Sequence, residues 1–255
     1  MTHRRGPLPT RVRGLALLPP AFHETLDSGL AALSLQLAAE GRAAIEGHVQ
    51  LLLAWNEAIN LTAIREPEAI ARLHVLDSLA AVGTLRAAGV TALLDLGSGG
   101  GFPGIPLASV LKAEALLVDG VAKKARFLGT AAQALGLAQV RAVATRAETL
   151  AADPAQRERW PAVTVRAVGP LGDLVELAFP LLRVDGLLVA WKRGAIDAEL
   201  RAAEAAIEAL GGGRVSVVSV PFAPLTEHRL VVVRKAGRTT SGWPRDPAAR
   251  RRRPW

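Results

Sequence analysis

Leu93-Leu94-Asp95-Leu96-Gly97-Ser98-Gly99-Gly100-Gly101-Phe102-Pro103-Gly104 is the stretch that decides how this 255-residue chain is read. A short apolar strand breaks into a glycine-dense turn, and Ile105 to Leu111 read as the first turns of a helix. Glycine is favoured where the backbone takes positive φ, or where a ligand lies against bare main chain. A strand, a glycine loop and a helix in that order are how doubly wound sheets hold adenosine-containing ligands at the carboxyl ends of their strands.

Several ligand classes compete for this loop. Asp95-x-Gly97-x-Gly99-x-Gly101 resembles the first motif of S-adenosylmethionine-dependent methyltransferases. Gly99, Gly101 and Gly104 also satisfy the dinucleotide fingerprint G-x-G-x-x-G, but that match begins past the end of the strand and runs through Pro103. A P-loop needs Lys-Ser or Lys-Thr after the glycines, and neither is there. A structural glycine turn in another α/β protein stays open. The next segment narrows the choice. Ala115-Leu116-Leu117-Val118 is a second apolar strand, and Asp119 ends it. An acid at that tip, roughly 20 residues past the glycine turn, is placed to hold a ribose diol; capping the following helix is its other reading. A third strand, 140–144, leads to Arg146-Ala147-Glu148, where methyltransferase folds usually meet the adenine ring.

Half of the residues are hydrophobic, enough for one sizeable core with a small appendage. With no cysteine, disulfides and thiolate metal sites are excluded and no metal is expected. No apolar run approaches the ~20 residues that span a bilayer. Leu15 to Pro20 is too short for the core of a signal peptide, so a cytoplasmic protein is expected. The formal charge of +8 is concentrated at the ends. Arg4, Arg5, Arg11 and Arg13 stand near the start without an acid. Arg238, Arg245 and Arg250 to Arg253 stand near the end against Asp246. The body between is close to neutral. Basic arms suit a polyanion such as RNA; disordered solubilising tails are the alternative.

Residues 22–60 read as two helices, the second with Ile45, Val49, Leu52 and Ile59 near helical spacing. Ile70 to Leu85 reads as helix. From Leu93 on, strands over 93–96, 115–118, 140–144, 162–166, 186–191, 215–220 and 229–234 alternate with helices over 104–111, 122–135, 170–182 and 196–210. Such alternation predicts an α/β, mostly parallel seven-stranded sheet covered on both faces, its last two strands closing as an antiparallel hairpin. The expected organisation is a basic N-terminal tail (1–21), an N-terminal helical region (22–88), the α/β domain (89–236) and a basic C-terminal tail (237–255).

Several stretches together resemble one family, the bacterial small-subunit (16S) ribosomal RNA guanine-N7 methyltransferases, also called glucose-inhibited division protein B. They are Trp55-Asn56-Glu57-Ala58-Ile59-Asn60-Leu61-Thr62, His74-Val75-Leu76-Asp77-Ser78-Leu79, the Gly-Phe-Pro-Gly-Ile-Pro ending of the glycine loop, Asp119 through Leu128, Arg146-Ala147-Glu148 and Arg166-Ala167-Val168. The resemblance runs in order over about residues 45 to 235. It implies a Rossmann-like class I fold, S-adenosyl-L-methionine as cofactor, and methylation of N7 of one guanine in the 530 loop of 16S rRNA. It further implies that Gly97, Gly99, Gly101 and Phe102 border the cofactor and that Asp119 takes its ribose. Ala147 and Glu148 hold the adenine, and Arg166 stands at the mouth of the cleft. Lys123, Lys124 and Arg126 face phosphate; by the charge of the C-terminal tail, not by the resemblance, Arg245, Arg250, Arg251, Arg252 and Arg253 are expected to join them. The partner is rRNA or the 30S particle, and a monomer is expected. The chain also departs from the family. Pro161 stands where the family usually has Asp, the usual Tyr-Pro-Arg is Trp243-Pro244-Arg245, and residues 1–22 match no part of it.

Guanine N7 has a free lone pair at neutral pH, so no proton must leave before attack and no dedicated general base is expected. His74 and Asp77 share a helix face; they contact substrate, or make a packing hydrogen bond, the reading preferred here. Trp55 lies on the buried stripe of its helix, whereas Phe102, beside the loop, is placed to touch cofactor or target base. Two other functions stay open. A nicotinamide-dependent oxidoreductase is disfavoured because the chain has no Tyr for a Tyr-Lys pair. A non-catalytic RNA-binding protein on a methyltransferase scaffold is disfavoured by the retained glycines and Asp119.

Overall fold

The computed structural model describes residues 7–222 and 225–255; Arg4 and Arg5 lie outside them. Helices α1 (Pro20–Ala32), α2 (Ala39–Asn56), α3 (Pro67–Ile70), α4 (Asp77–Leu79) and α5 (Val82–Ala87) precede the sheet. Then come β1 (Ala92–Leu96), α6 (Gly104–Leu111), β2 (Glu114–Asp119), α7 (Ala122–Ala134), β3 (Val140–Ala144) and α8 (Ala147–Ala152). The chain continues through β4 (Trp160–Arg166), α9 (Leu171–Ala178), β5 (Leu182–Arg193), α10 (Asp197–Ala209), β6 (Gly212–Ser219), β7 (His228–Lys235) and α11 (Pro247–Arg252).

The strands form one 7-stranded sheet in the order β3-β2-β1-β4-β5-β7-β6. β1 to β5 run parallel, and β7 is antiparallel to both β5 and β6. The order reverses between β1 and β4, so the crevice outside the carboxyl ends of the strands lies beside the glycine loop. Parallel strands buried on both faces alternate between two cores. On β5, Leu187, Val189 and Trp191 belong to one cluster and Leu188 and Ala190 to the other. The first cluster includes Phe22, Leu26, Ile45, Leu52 and Trp55, so the N-terminal helices share a core with α6, α7 and the sheet.

The region read as a continuous helix over 70–85 is interrupted. Ala71–Leu76 is a π-helical turn, and the helix breaks again before Val82. An extra residue per turn rotates the next stretch of helix about its axis, which is why such turns recur at functional sites; this one carries His74 and delivers Asp77. β5 begins earlier than expected, at Leu182, with a register shift opposite Trp160 and Ala162.

Residues 7–19 and 237–255 are not the free tails expected. Residues 7–19 lie as a strap along α2: Val12 and Leu15 pack on the core, and Trp55 Nε1 donates to the Pro9 carbonyl at 2.8 Å. The apolar residues between the arginines make this possible. At the other end, Arg245 and Trp255 are bonded to the buried Glu176, and α11 lies between them in sequence. No helix was expected here; α11 starts after Asp246, an N-cap whose Oδ1 accepts the amides of Ala248 and Ala249, each at 2.9 Å, with Pro247 in the first turn.

Candidate active site at the carboxyl edge of the sheet

The glycine loop is tied to β2 before any ligand is considered. Gly97 and Ser98 donate their amides to the Val118 carbonyl at 2.8 and 3.0 Å. Asp119 Oδ2 accepts the Gly99 amide at 2.9 Å, and its Oδ1 accepts the Val121 amide at 2.8 Å. Gly97 has φ +74, and a Cβ there would come within 2.7 Å of Val168 Cγ2, so the loop after β4 closes directly over bare backbone. Beneath the loop, Asp95 is fully buried. It accepts the Thr164 hydroxyl at 2.8 Å and the Gly104 amide at 3.2 Å. Burial pushes its carboxyl up to about 6 against those hydrogen bonds.

A cleft of about 400 Å³ opens beside the loop, bordered by Gly97, Val118, Ala147, Glu148, Val168 and Leu174. Apolar walls with a carboxylate at the rim and a main-chain turn at the base fit a nucleoside carrying a short polar chain. Asp119, though only 7% exposed, sits at the tip of β2 with lone pairs beyond the two amide bonds it accepts. These residues therefore suit S-adenosylmethionine. A larger cavity of about 650 Å³ lies among α2, α6 and the end of α7. It is lined by Ser109, Lys112 and Gln139 rather than loop residues, and it sits where helices return toward the starts of β2 and β3. Chemistry, not size, identifies the site.

Arg166, at the end of β4, is held in place by three partners. It donates to Asp77 Oδ2 at 3.0 Å, to the Leu73 carbonyl at 3.1 Å and to His74 Nδ1 at 3.1 Å. An arginine only donates, so His74 Nδ1 is the acceptor and its Nε2–H faces Thr62 Oγ1 at 2.7 Å. Burial, reinforced by the Arg166 charge, pushes the His74 imidazole down to about 4. The other Asp77 oxygen receives His228 Nδ1 at 2.9 Å, and its carbonyl receives the Trp191 indole at 2.8 Å. His74 and Asp77 are thus both packing residues and the mounting of Arg166. His228 gave no signal in the sequence, because its link to Asp77 spans 151 positions.

Phe102 differs from expectation. It is 5% exposed and packs against His48 and His74, with ring centroids 4.6 and 4.8 Å away and the Arg166 guanidinium 5.5 Å from its ring centre. Its burial and these close neighbours make it a wall behind the loop rather than an open stacking platform. His48 was missed altogether. Fully buried, it donates Nε2–H to the Gly100 carbonyl at 2.8 Å, while its Nδ1 has no partner among the described residues. Burial pushes it down to about 4, the neutral form that this single donation requires.

The expected phosphate contacts divide. Lys123 and Arg126 are exposed at the start of α7, with Lys124 half-buried beside them and Arg126 resting 5.6 Å over the Trp55 ring. Arg251, Arg252 and Arg253 are exposed on and after α11. Arg245 and Arg250 are not free cations. Arg245 pairs with Glu176 and Arg250 with Glu148, each at 2.5 Å; the Glu176 carboxylate, fully buried, would otherwise be desolvated without a partner. Gly101 lies at the turn into α6, its amide bonded to Ser98 O at 2.7 Å. Among the described residues there is no cluster of histidine and carboxylate ligands fit for a metal ion, and no helix long and apolar enough to cross a membrane.

The family model described as GidB, rRNA small subunit methyltransferase G, matches residues 42–228. The Ribosomal RNA small subunit methyltransferase G of Roseiflexus sp. (strain RS-1) is 42% identical over 205 residues, covering 80% of this chain and 87% of its own. That of Deinococcus deserti is 43% identical over 198 residues, covering 76% and 81%. A SAM-dependent O-methyltransferase from Thermotoga maritima superposes with a TM-score of 0.51 at 14% identity, over 74% of this chain and 72% of that one. At that identity the likeness concerns the fold, a class I methyltransferase sheet.

Proposed function

The chain belongs to the GidB family of small-subunit rRNA methyltransferases, and on that premise we propose that it transfers the methyl group of S-adenosylmethionine to N7 of one guanine in the 530 loop of 16S rRNA. One observation carries the reading. The glycine turn, Asp119, Ala147, Glu148 and Arg166 all fall within the matched residues 42–228, and they border one edge of the sheet. The methyltransferase names of the relatives leave the nicotinamide reading without support.

When bound, S-adenosylmethionine supplies an electrophilic methyl group on a sulfonium. The protein's task is alignment and electrostatics, since the N7 lone pair needs no base. Gly97 offers main chain to the cleft, and Gly99 and Gly101 shape the turn that follows it. Asp119, its position set by two amides, has lone pairs left that would hold the ribose diol. Ala147 and Glu148 receive the adenine. Arg166, fixed by Asp77 and His74, stands where β4 meets the cleft. A neutral His74 leaves one positive charge fewer beside a base that becomes cationic on methylation. Lys123, Lys124, Arg126 and Arg251 to Arg253 meet phosphate. The chain acts as a monomer in the cytoplasm.

The test is methyl transfer to 30S particles and 16S rRNA that lack the modification, with the modified base mapped by cleavage at N7-methylguanosine. Transfer to a single guanine of the 530 loop is expected. Cofactor binding without transfer to any rRNA or particle would favour the non-catalytic reading instead.

A further inference from the structure

The C-terminal arm brings one arginine into the cofactor cleft and leaves its neighbours outside. Arg250 lines the cleft and bonds Glu148 Oε1 at 2.5 Å, the two side chains 14% and 18% exposed, while Arg251, Arg252 and Arg253 face solvent. The arm is not loosely placed. The fully buried carboxylate of Glu176 accepts the Arg245 amide at 2.7 Å, its guanidinium at 2.5 Å and the Trp255 indole at 2.6 Å. The Arg245 guanidinium lies 5.1 Å from the Trp243 ring and 4.8 Å from the Trp255 ring. Arg157 holds the carbonyls of Thr240 and Trp243 at 2.9 and 3.0 Å. These bonds grip both sides of α11, and the Asp246 cap starts it, so the direction of Arg250 is set by the fold.

We propose that Arg250 is a positioning residue of the cofactor site: it orients the Glu148 carboxylate, and so selects an adenine ring, making residues 237–255 a fixed wall of the pocket. This rests on the reading of the cleft as an S-adenosylmethionine site. Leu96, Val118 and Leu174 give the cleft apolar lining suited to a flat ring, and Glu148 is on the same lining, beside Arg146 and Asp173. Arg250 engages one carboxylate oxygen, and the second can receive a donor. Adenine presents an amine there. Hypoxanthine presents a carbonyl, whose lone pairs oppose the carboxylate. A site built around a hydrogen bond rejects the analogue that cannot make it. Without Arg250 the Glu148 side chain rotates freely into solvent, and both affinity and selection fall.

The experiment is calorimetric titration of the full chain with S-adenosylhomocysteine and with S-inosylhomocysteine. Arg250→Ala is expected to weaken S-adenosylhomocysteine by about tenfold, the scale of a charged hydrogen-bond partner, and to shrink the preference for adenine. Arg250→Lys recovers part of both, Arg251→Ala changes neither, and the melting temperature of the ligand-free protein is unmoved by any of them. Glu148→Gln, which keeps the shape of the side chain, must also lose the preference. An Arg250→Ala protein with wild-type affinity and wild-type preference overturns the proposal, as does a loss of affinity that leaves the preference intact. Failure of the unsubstituted chain to bind S-adenosylhomocysteine would overturn the cofactor reading itself.

Discussion

Asp119 accepts the backbone amide of Gly99 at 2.9 Å, across 20 positions of sequence. The tip of the second strand and the glycine turn are therefore one unit, held together whether or not a ligand lies on them. A residue expected to serve the ribose also builds the loop.

Asp119→Ala is accordingly expected to act twice. Cofactor affinity falls by about 1–3 kcal/mol, the cost of a lost charged partner, and stability falls on a similar scale because the Gly99 and Val121 amides lose their acceptor. Titration with S-adenosylhomocysteine beside urea melts separates the two. An unchanged dissociation constant would return Asp119 to a purely structural role.

Gly99→Val tests the loop. Gly99 has φ +53, and a Cβ there meets nothing closer than the Gly97 carbonyl at 3.8 Å. The protein has room for the side chain, at a strain of about 1–2 kcal/mol for the left-handed backbone. The ligand does not. A folded Gly99→Val protein that fails to bind S-adenosylhomocysteine is expected; normal affinity would remove the loop from the site.

Acid sensitivity comes from two histidines, His48 and His74, both pushed down to about 4 by burial, and His48 can be isolated by substitution. Its folded value is pushed down to about 4 from an ordinary 6.5, so its contribution to stability is present above 6.5 and is lost as pH falls toward 4. Asp95, pushed up to about 6, acts in the opposite sense: its contribution is present below its ordinary value near 4 and is lost as pH rises through 6. Comparing variants isolates the histidine. Between pH 7 and pH 5, His48→Gln should lose about 2 kcal/mol less stability than the parent, as read from urea midpoints. Equal losses in the two proteins would show that His48 is protonated in the fold without cost.

The C-terminal arm calls for two separate changes. Deleting residues 237–255 strips Glu176 of Arg245 and Trp255. An orphaned buried carboxylate should cost about 3–5 kcal/mol, seen as a lower melting temperature. Replacing Arg251, Arg252 and Arg253 together by Ala leaves that anchor in place. If all three meet phosphate, the slope of log RNA affinity against log salt should shrink by about 2. An unaltered slope would make those arginines a solubility device.

The sequence by itself determined the doubly wound sheet, the glycine turn and its acid, and the antiparallel close. These are local: a strand of apolar residues, a run of glycines and a helix are written in consecutive positions, and their period shows which faces are buried. The family stretches, too, are contiguous words such as Trp55 to Thr62. What only the tertiary structure decided depends on residues far apart in the chain. Arg166 was legible as a site residue, but that Asp77, His74 and, through Asp77, His228 mount it was not. Spacing says nothing about which charges meet after a sheet has folded. The same limit applied to the ends. Composition counts arginines, and by that count both ends looked like free basic arms. Whether an arginine is a free cation depends on the carboxylate that packing places beside it. Glu176 took Arg245 because a carboxylate out of water must be paired, and Glu148 met Arg250 because the same anchor sets the direction of α11.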